Sequence, residues 1–165
     1  MTNILLAIIM TRRLTILITF LFFTSLSFGQ RVSETDSLLI ISKVKSVFNV
    51  FRKPNFSEFK KLSTERIYCI ICLDKPEFRD APNMERRRFY NHHLKEIGQC
   101  DGFTRAMKST EVILVNEIGD RTGITVLFTI YKKDELAPGH EGGQLGMYFK
   151  KVNNVYKFAG IETIP

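Results

Sequence analysis

The end of the chain limits the possible folds most, because residues 112–164 read as four consecutive β-strands. Within 124–131, β-branched and aromatic residues predominate and Ile, Val, Phe and Ile occupy every second position, which is typical of a strand with one buried face. We place the other strands at 112–118, 145–149 and 155–164. Asn153 and Asn154 should join the last two in a tight hairpin, since Asn tolerates the positive φ angles of such turns.

The first half of the chain reads mainly as helices. Ser33 and Asp36 are spaced as in a capping box, and the helix that they begin should bury one stripe of apolar residues: Ile40, Val44, Val47, Phe48 and Phe51. Residues 53–55 should end this helix, and Ser57 could cap a short second one.

A bulky apolar run follows, and then a third helix. Within residues 66–73, apolar side chains occupy both odd and even positions, as in a strand that is covered on both faces. Asn83 could cap a helix over 84–97, and Gly98 should be its C-cap. The order is helix, helix, strand, helix and four strands. It predicts one α+β domain, with mostly N-terminal helices and an antiparallel sheet.

The N-terminus has the pattern of a secretory signal peptide. Arg12 and Arg13 precede an apolar run over 14–26, and the small residues Ser27 and Gly29 would allow cleavage before Gln30. We therefore predict a signal peptide over 1–29, with Met10 as an alternative start, and a mature domain over 30–165. An uncleaved anchor is the other interpretation, but the stretch over 14–28 has only 15 residues, shorter than the roughly 20 that a span needs. The expected location is secreted or periplasmic, with no membrane span after cleavage.

The charge is positive and unevenly distributed. The whole chain has a formal net charge of +7, and residues 30–109 hold 16 basic against 10 acidic side chains. For an exported protein this favours an acidic protein or an anionic envelope surface as partner and disfavours nucleic acid. A basic face could form from Arg79, Arg86, Arg87, Arg88 and Lys95. Ordinary solubility of a solvated helix is the alternative.

Two segments resemble the nuclear transport factor two-like superfamily, whose α+β fold is a cystatin-like cone. Val47, Phe48, Phe51 and residues 55–62 are similar to its first two helices. Residues 153–161 are similar to its closing strand, with Tyr156 where that strand usually has Trp. The resemblance implies a curved sheet wrapped around helices, in an exported bacterial member of unknown function.

The resemblance also implies where a site would lie. Enzymes of this superfamily use polar groups inside the cone, often a His or Asp base with a Tyr donor. The counterparts here would be His93 and Tyr90 as catalytic candidates, with Tyr68 and Tyr131 as further ligand-binding residues. The superfamily contains both enzymes and proteins without known activity, so its fold does not select a function.

Three cysteines allow more than one interpretation. In an oxidising compartment Cys72 should pair with Cys100, and Cys69 should stay a buried thiol. The cysteines and the adjacent His92 and His93 can also be written as a zinc pattern, but residues three apart on a strand face opposite sides of the sheet. We therefore predict neither a metal site nor a cofactor.

The preferred function is an exported, non-catalytic binding or interaction domain. Its ligand would be a small apolar molecule in the cone, or an acidic partner on the basic helical face. The alternatives are a small isomerase, dehydratase or hydrolase that uses His93 and Tyr90, and an immunity or inhibitor protein for a secreted toxin. A homodimer could form through the outer sheet face, at Thr125, Leu127, Thr129 and Tyr131.

Overall fold

The structure is a computed structural model that describes residues 32–72, 82–117 and 122–164. The predicted signal peptide, the start at Met10 and Arg79 lie outside these residues. None of the helices in the described ranges combines the length and the apolar character that crossing a membrane requires.

In the part of the chain that the structure describes, four helices precede or interrupt the strands. Helix α1 spans Glu34–Arg52 and α2 spans Phe56–Leu62. Helix α3 consists of three consecutive segments, an α-helix over Arg86–Phe89, a π-helix over Tyr90–Leu94 and an α-helix over Lys95–Gln99. Helix α4 spans Asp101–Lys108. The strands are β1 Ser63–Cys69, β2 Asn83–Glu85, β3 Val112–Glu117, β4 Gly123–Tyr131, β5 Gly143–Val152 and β6 Val155–Ile164.

The strands form one open, mixed sheet in the order β2-β1-β6-β5-β4-β3. The α+β class and the mostly N-terminal helices are confirmed. One pairing differs from the predicted antiparallel sheet, because β1 runs parallel to β6. Bulges interrupt the register between β1 and β6, β4 and β5, and β5 and β6. Since a bulge increases the local twist, they bend the sheet.

The predicted cap at Ser33 is confirmed, but the Asp36 carboxylate bonds to the Ser33 hydroxyl and not to its backbone N–H as in a capping box. The Ser33 hydroxyl accepts a hydrogen bond from the Asp36 backbone N–H at 3.1 Å and donates to the Asp36 carboxylate at 2.9 Å. The cap of α2 is Asn55 instead of Ser57, because the Asn55 side chain accepts the Glu58 backbone N–H at 3.1 Å. Helix α4, which we did not predict, begins at Cys100, whose sulfur accepts from the Phe103 N–H at 3.4 Å.

Several predicted boundaries are wrong. Asn83 lies in β2 and does not cap α3, which begins at Arg86 after Glu85. Strand β1 starts and ends earlier than the predicted 66–73, since Ile70, Ile71 and Cys72 already form a turn. Gly98 lies inside α3 and does not end it. Its conformational freedom is not needed for a cap, but its lack of a side chain is needed for packing. A Cβ at this position would lie 2.6 Å from the backbone oxygen of Phe51 in α1.

Replacing Gly98 by Ala should therefore destabilise the protein, although Gly to Ala inside a helix ordinarily stabilises it. The new methyl would push α3 away from α1, and such overpacking costs about 1–3 kcal/mol. Urea denaturation of Gly98→Ala checks the sign. Gly102→Ala in α4 is the matched control, because its Cβ would approach only the flexible end of Ile130, at 3.2 Å. Equal stabilisation by both substitutions would contradict the close contact between the helices.

The inner face of the sheet packs against the helices through a phenylalanine core. Among the described residues, seven Phe side chains are at most 2% exposed: Phe51, Phe59, Phe89, Phe103, Phe128, Phe149 and Phe158. Phe51 is central to this core, because its ring stacks on Phe103 at 4.8 Å and contacts Phe158 edge-on at 5.7 Å. Aromatic rings fill the space between the helices and the sheet.

The start of α1 is also tied to the β5–β6 hairpin. Tyr156 of β6 is 7% exposed and donates a hydrogen bond to the Asp36 carboxylate. Lys151, opposite it on β5, lies 3.4 Å from Asp36 and 5.1 Å from the centre of the Tyr156 ring. Burial, together with the nearby negative charge of Asp36, raises the pKa of Tyr156 to about 12.

This raised pKa predicts a loss of stability in strong base. The unfolded tyrosine ionises near pH 10 and the folded one near pH 12. The contribution of the neutral Tyr156 hydroxyl to the free energy of unfolding is therefore complete below pH 10 and is lost between these two values. The difference in the free energy of unfolding between the unsubstituted protein and Tyr156→Phe should fall by about 2 kcal/mol from pH 9.5 to pH 12. Urea titrations across this range measure it, and parallel pH curves for the two proteins would contradict the assignment.

Candidate functional site

A depression of about 730 Å³ lies on the outer face of the sheet, beside α2 and β2. We call it the basic groove. Its rim carries one carboxylate, Glu65, and five cations: Lys60, Arg66, Arg86, Lys150 and Lys157. The remaining lining side chains are neutral: Ser63, Thr64, Tyr68, Asn83, Tyr148, Val152 and Ala159. Volumes of about 300–1,000 Å³ are usual for ligand sites, so the groove can hold a ligand.

The hairpin places two lysines of the groove directly opposite each other. Asn153 and Asn154 have φ angles of 49° and 62°, which confirms the predicted tight turn. This turn pairs Lys150 of β5 with Lys157 of β6. Like charges that face each other across two strands destabilise a sheet. The folded protein therefore keeps an unfavourable charge pair at the rim of this groove.

Two of the cations bind the end of α2. The Arg86 guanidinium donates through Nη1 to the carbonyl oxygens of Lys60, Ser63 and Thr64 at 3.3–3.4 Å. The Lys157 ammonium donates to the carbonyl oxygen of Lys61. Cations are favourable at the carbonyl end of a helix, so these bonds give both side chains a structural role and a fixed position.

No carboxylate neutralises the five cations within the described part of the chain. The ion pairs among the described residues involve other cations, for example Lys61 with Glu58 at 2.8 Å and Arg105 with Asp101 at 2.7 Å. Neutral carbonyl partners position a cation without cancelling its charge. The groove is therefore a positively charged surface with a partly apolar and aromatic floor.

The cone interior offers much less space. Besides the phenylalanine core, a pocket of about 220 Å³ opens beside α3, lined by Ile71, Cys72, His93, Glu96, Ile97, Cys100, Gly102, Leu145 and Thr163. His93 is 3% exposed and lies in this pocket, as its spacing from Phe89 predicted. The pocket is smaller than ligand sites usually are.

The structure does not bring the predicted ligand-binding residues together. Tyr90 packs on Phe56 and Phe59 at 5.1 and 5.8 Å and is absent from the His93 pocket. The π-helical turn explains this, because its smaller rotation per residue leaves residues three apart separated by a wider angle around the axis than in an α-helix. Tyr68 lines the basic groove on the other side of the sheet.

Tyr131 lies in neither the basic groove nor the His93 pocket, but beside α4. Its ring lies under the Arg105 guanidinium at 4.7 Å, and its hydroxyl donates to Asp101 at 3.2 Å. Burial, followed by the hydrogen bond to Asp101, raises the pKa of Tyr131. Arg105 also bonds to Glu135, so this cluster fastens the 132–142 loop to α4. The interaction is structural and lies outside both pockets.

The predicted basic face does not form as one surface. Arg86 lies in the basic groove, whereas the Arg87 guanidinium stacks over the Phe56 ring at 5.0 Å. Arg88 is exposed, and Lys95 lines a separate shallow depression with His92 and Gln99. The correction follows from helix geometry, because consecutive helical residues point about 100° apart.

The predicted disulfide is also wrong. Cys69 pairs with Cys72, and Cys100 is an exposed free thiol. The prediction required a strand that continues through Cys72, but the turn after Cys69 lets the two sulfurs meet. A link across three residues contributes about 2 kcal/mol in the chain-entropy model, less than the longer link would. Because Cys69 and Cys72 are bonded to each other, neither thiolate is available for the zinc pattern.

The residues proposed for a homodimer are less accessible than predicted. Thr125 is 3% exposed, and Leu127, Thr129 and Tyr131 are half-buried. The exposed apolar side chains of this region lie on the neighbouring edge strand, at Val112, Ile113 and Val115 of β3.

Sequence reasoning missed most of the groove. Lys60, Arg66, Lys150, Lys157 and Tyr148 were not identified. One signal was present, because a two-residue turn at 153–154 already implies that Lys150 and Lys157 lie opposite each other. The other residues come from separate elements, and only the packing of α2 and β2 on the sheet brings them together.

No protein-family model matches the chain, and no curated protein matches it. Solved structures do match. A designed protein of the nuclear transport factor two-like type is 15% identical, with a TM-score of 0.43, over 80% of this chain and 100% of that one. A protein of unknown function with a cystatin-like fold, from Nostoc punctiforme, is 9% identical, with a TM-score of 0.46, over 82% of this chain and 96% of its own.

A third match is a DUF4783 family protein from Bacteroides fragilis, 17% identical, with a TM-score of 0.35, over 72% of this chain and 93% of that one. These matches concern the fold alone. Within the described residues, the element order, the open six-stranded sheet and the helices packed on its inner face form an α+β architecture, as the sequence predicted.

Proposed function

We propose that this chain is an exported, non-catalytic binding domain whose acidic partner docks in the basic groove. One observation carries the proposal: within the described residues, five cations line one depression and no carboxylate pairs with them. A surface of one sign attracts a partner of the other sign and accelerates their association. The like-charged Lys150–Lys157 pair supports the same conclusion, because a bound anion would relieve its repulsion.

Two further observations favour this binding role over catalysis in the cone. Aromatic rings fill the interior, and the pocket that reaches His93 is only about 220 Å³. Tyr90, the proposed partner of His93, contacts Phe56 instead. An inhibitor of a secreted toxin is one case of the proposed role, if that toxin presents an acidic surface.

The test is a titration of the purified protein into fluorescein-labelled octaglutamate, followed by fluorescence anisotropy at 50 and 200 mM NaCl. We expect saturable binding that weakens at the higher salt, because screening shortens the range of charge interactions to about 8–10 Å near physiological ionic strength. Labelled octalysine should not bind.

Two neighbouring lysines provide a matched pair of variants. Lys60 and Lys61 are both exposed on α2, but only Lys60 lines the groove, whereas Lys61 pairs with Glu58. Lys60→Gln should weaken octaglutamate binding about threefold to fivefold, corresponding to about 1 kcal/mol. Lys61→Gln should leave it unchanged. Absent binding, or equal losses in both variants, would refute the groove as the docking site.

A further inference from the structure

The two arginines of the groove are fixed before any ligand binds. Arg66 Nη2 donates to the carbonyl oxygen of Asn83 at 2.8 Å, and Arg86 is held through Nη1 as described above. A guanidinium has five N–H donors. Among the described residues, no other acceptor takes the remaining donors of either side chain. Each arginine therefore keeps spare donors in a position that the backbone already determines.

This arrangement suits carboxylates. Spare guanidinium donors can bind both oxygens of a carboxylate or phosphate in two parallel hydrogen bonds, which lysine cannot do. Because the side chains are already ordered, binding loses less conformational entropy. Arg66 and Arg86 can thus determine which group is recognised, while the three lysines supply the general attraction.

The floor of the groove favours an extended chain. The register places Gly160 of β6 between Tyr148 of β5 and Tyr68 of β1. A Cβ on Gly160 would lie 2.8 Å from the carbonyl oxygen of Tyr68, so the position has no room for a side chain. Strands β1 and β5, which carry Tyr68 and Tyr148, are two strand spacings apart, roughly 10 Å. Tyr68 and Tyr148 both line the groove, and we call the part of its floor between these two residues the slot.

Cations come from several elements around the groove. Lys60, Arg66 and Arg86 come from α2, β1 and α3, and Lys150 and Lys157 come from the β5–β6 hairpin. Arg86 and Lys157 both donate to carbonyl oxygens at the end of α2, and the adjoining floor is partly apolar and aromatic. Positive charge beside such a floor matches carboxylates joined by apolar side chains better than a continuous phosphate chain. The concave shape also fits a flat membrane surface poorly.

We propose that the basic groove binds an extended acidic segment of a partner protein, whose carboxylates Arg66 and Arg86 hold bidentately. The inference rests on the proposed function and adds the chemical class of the partner. The probes are two labelled eight-residue peptides of equal charge, one alternating Glu and Val and the other alternating Glu and Ser. The Val peptide should bind at least threefold more tightly, because its apolar side chains cover the slot.

Charge-conserving variants isolate the arginine geometry. Arg66→Lys and Arg86→Lys should each weaken binding of the Glu–Val peptide about fivefold to tenfold. The positive charge stays, but the planar guanidinium that can bind both oxygens of a carboxylate is lost. Arg52→Lys, exposed at the end of α1 and outside the groove, is the control. Thermal melting of Arg86→Lys shows whether α2 remains folded. Arg66→Lys removes only one carbonyl bond and keeps the test valid if Arg86→Lys unfolds.

The outcomes separate this inference from the proposed function. Unchanged affinity in both arginine variants, together with weaker octaglutamate binding in Lys60→Gln, would overturn the inference and leave the acidic docking site intact. Tighter binding of an oligothymidylate of matched charge, or of vesicles containing phosphatidylserine, would also overturn it. Failure of every anionic probe to bind would refute both.

Discussion

Replacing Phe51 by Ala should lower the free energy of unfolding by about 4 kcal/mol. The Phe51 side chain is 2% exposed, and its ring contacts Phe59, Phe89, Phe103 and Phe158 at centroid distances of 4.8–6.4 Å. Truncating a buried Phe costs about 3–5 kcal/mol through lost burial and the remaining cavity. Since domains are stable by only about 5–15 kcal/mol, this single change should remove a large part of the total stability.

Urea denaturation measures this loss. Leu38→Ala on the same helix is the control, because Leu38 is 69% exposed and exposed positions usually change stability by less than about 0.5 kcal/mol. Phe51→Leu should cost clearly less than Phe51→Ala, since it leaves a smaller cavity. A loss below about 1.5 kcal/mol for Phe51→Ala would mean that the interior is loosely packed and could admit a ligand.

Replacing Lys150 by Glu should weaken acidic-peptide binding about tenfold and stabilise the free protein. The two effects have the same origin. The substitution removes one attraction for the ligand and adds one repulsion, which together reach about 1.4 kcal/mol. In the free protein the substitution converts the Lys150–Lys157 pair from repulsive to attractive. A cross-strand pair of this kind contributes about 0.2–1 kcal/mol.

Anisotropy titration and urea denaturation of the same preparation measure both quantities. Lys108→Glu changes the net charge equally on an exposed residue outside the groove, and should alter affinity less than twofold. Loss of binding together with loss of stability would indicate misfolding. Unchanged binding would show that the hairpin lysines do not contact the ligand.

Local signals predicted the elements that depend on neighbouring residues. The helix cap at Ser33, the break after α1 and the turn at Asn153–Asn154 were all predicted, because each needs only contacts within a few residues. The strand over 124–131 was also predicted correctly, because one face of β4 is buried and large apolar residues therefore occupy every second position. These features fix the α+β class.

Features that depend on tertiary contacts were predicted poorly. The apolar run after Cys69 looks like a continuing strand, and nothing in its composition reveals the turn that joins Cys69 to Cys72. The π-helical turn that separates Tyr90 from His93 has no signature in residue spacing. The spacing of α3 and α1 makes Gly98 a packing residue, although its place near the end of the predicted helix suggested a cap.

The candidate site was harder to predict than the fold for the same reason. The basic half of the sequence suggested a helical face, but the groove combines residues from both halves of the chain. The pairing of Lys150 with Lys157 follows from the turn alone. The position of Arg66 and Arg86 depends on carbonyls at Asn83 and at the end of α2, which only the folded chain brings close.

The most direct test of the account is to map the ligand on the protein by nuclear magnetic resonance. Uniformly ¹⁵N-labelled protein is titrated with octaglutamate, and the backbone amide shifts are followed. We predict the largest changes at Arg66, Tyr68, Lys150 and Lys157, with no change at His93. Changes concentrated around His93 and Cys100, with the groove unaffected, would contradict the account and place the functional site inside the cone.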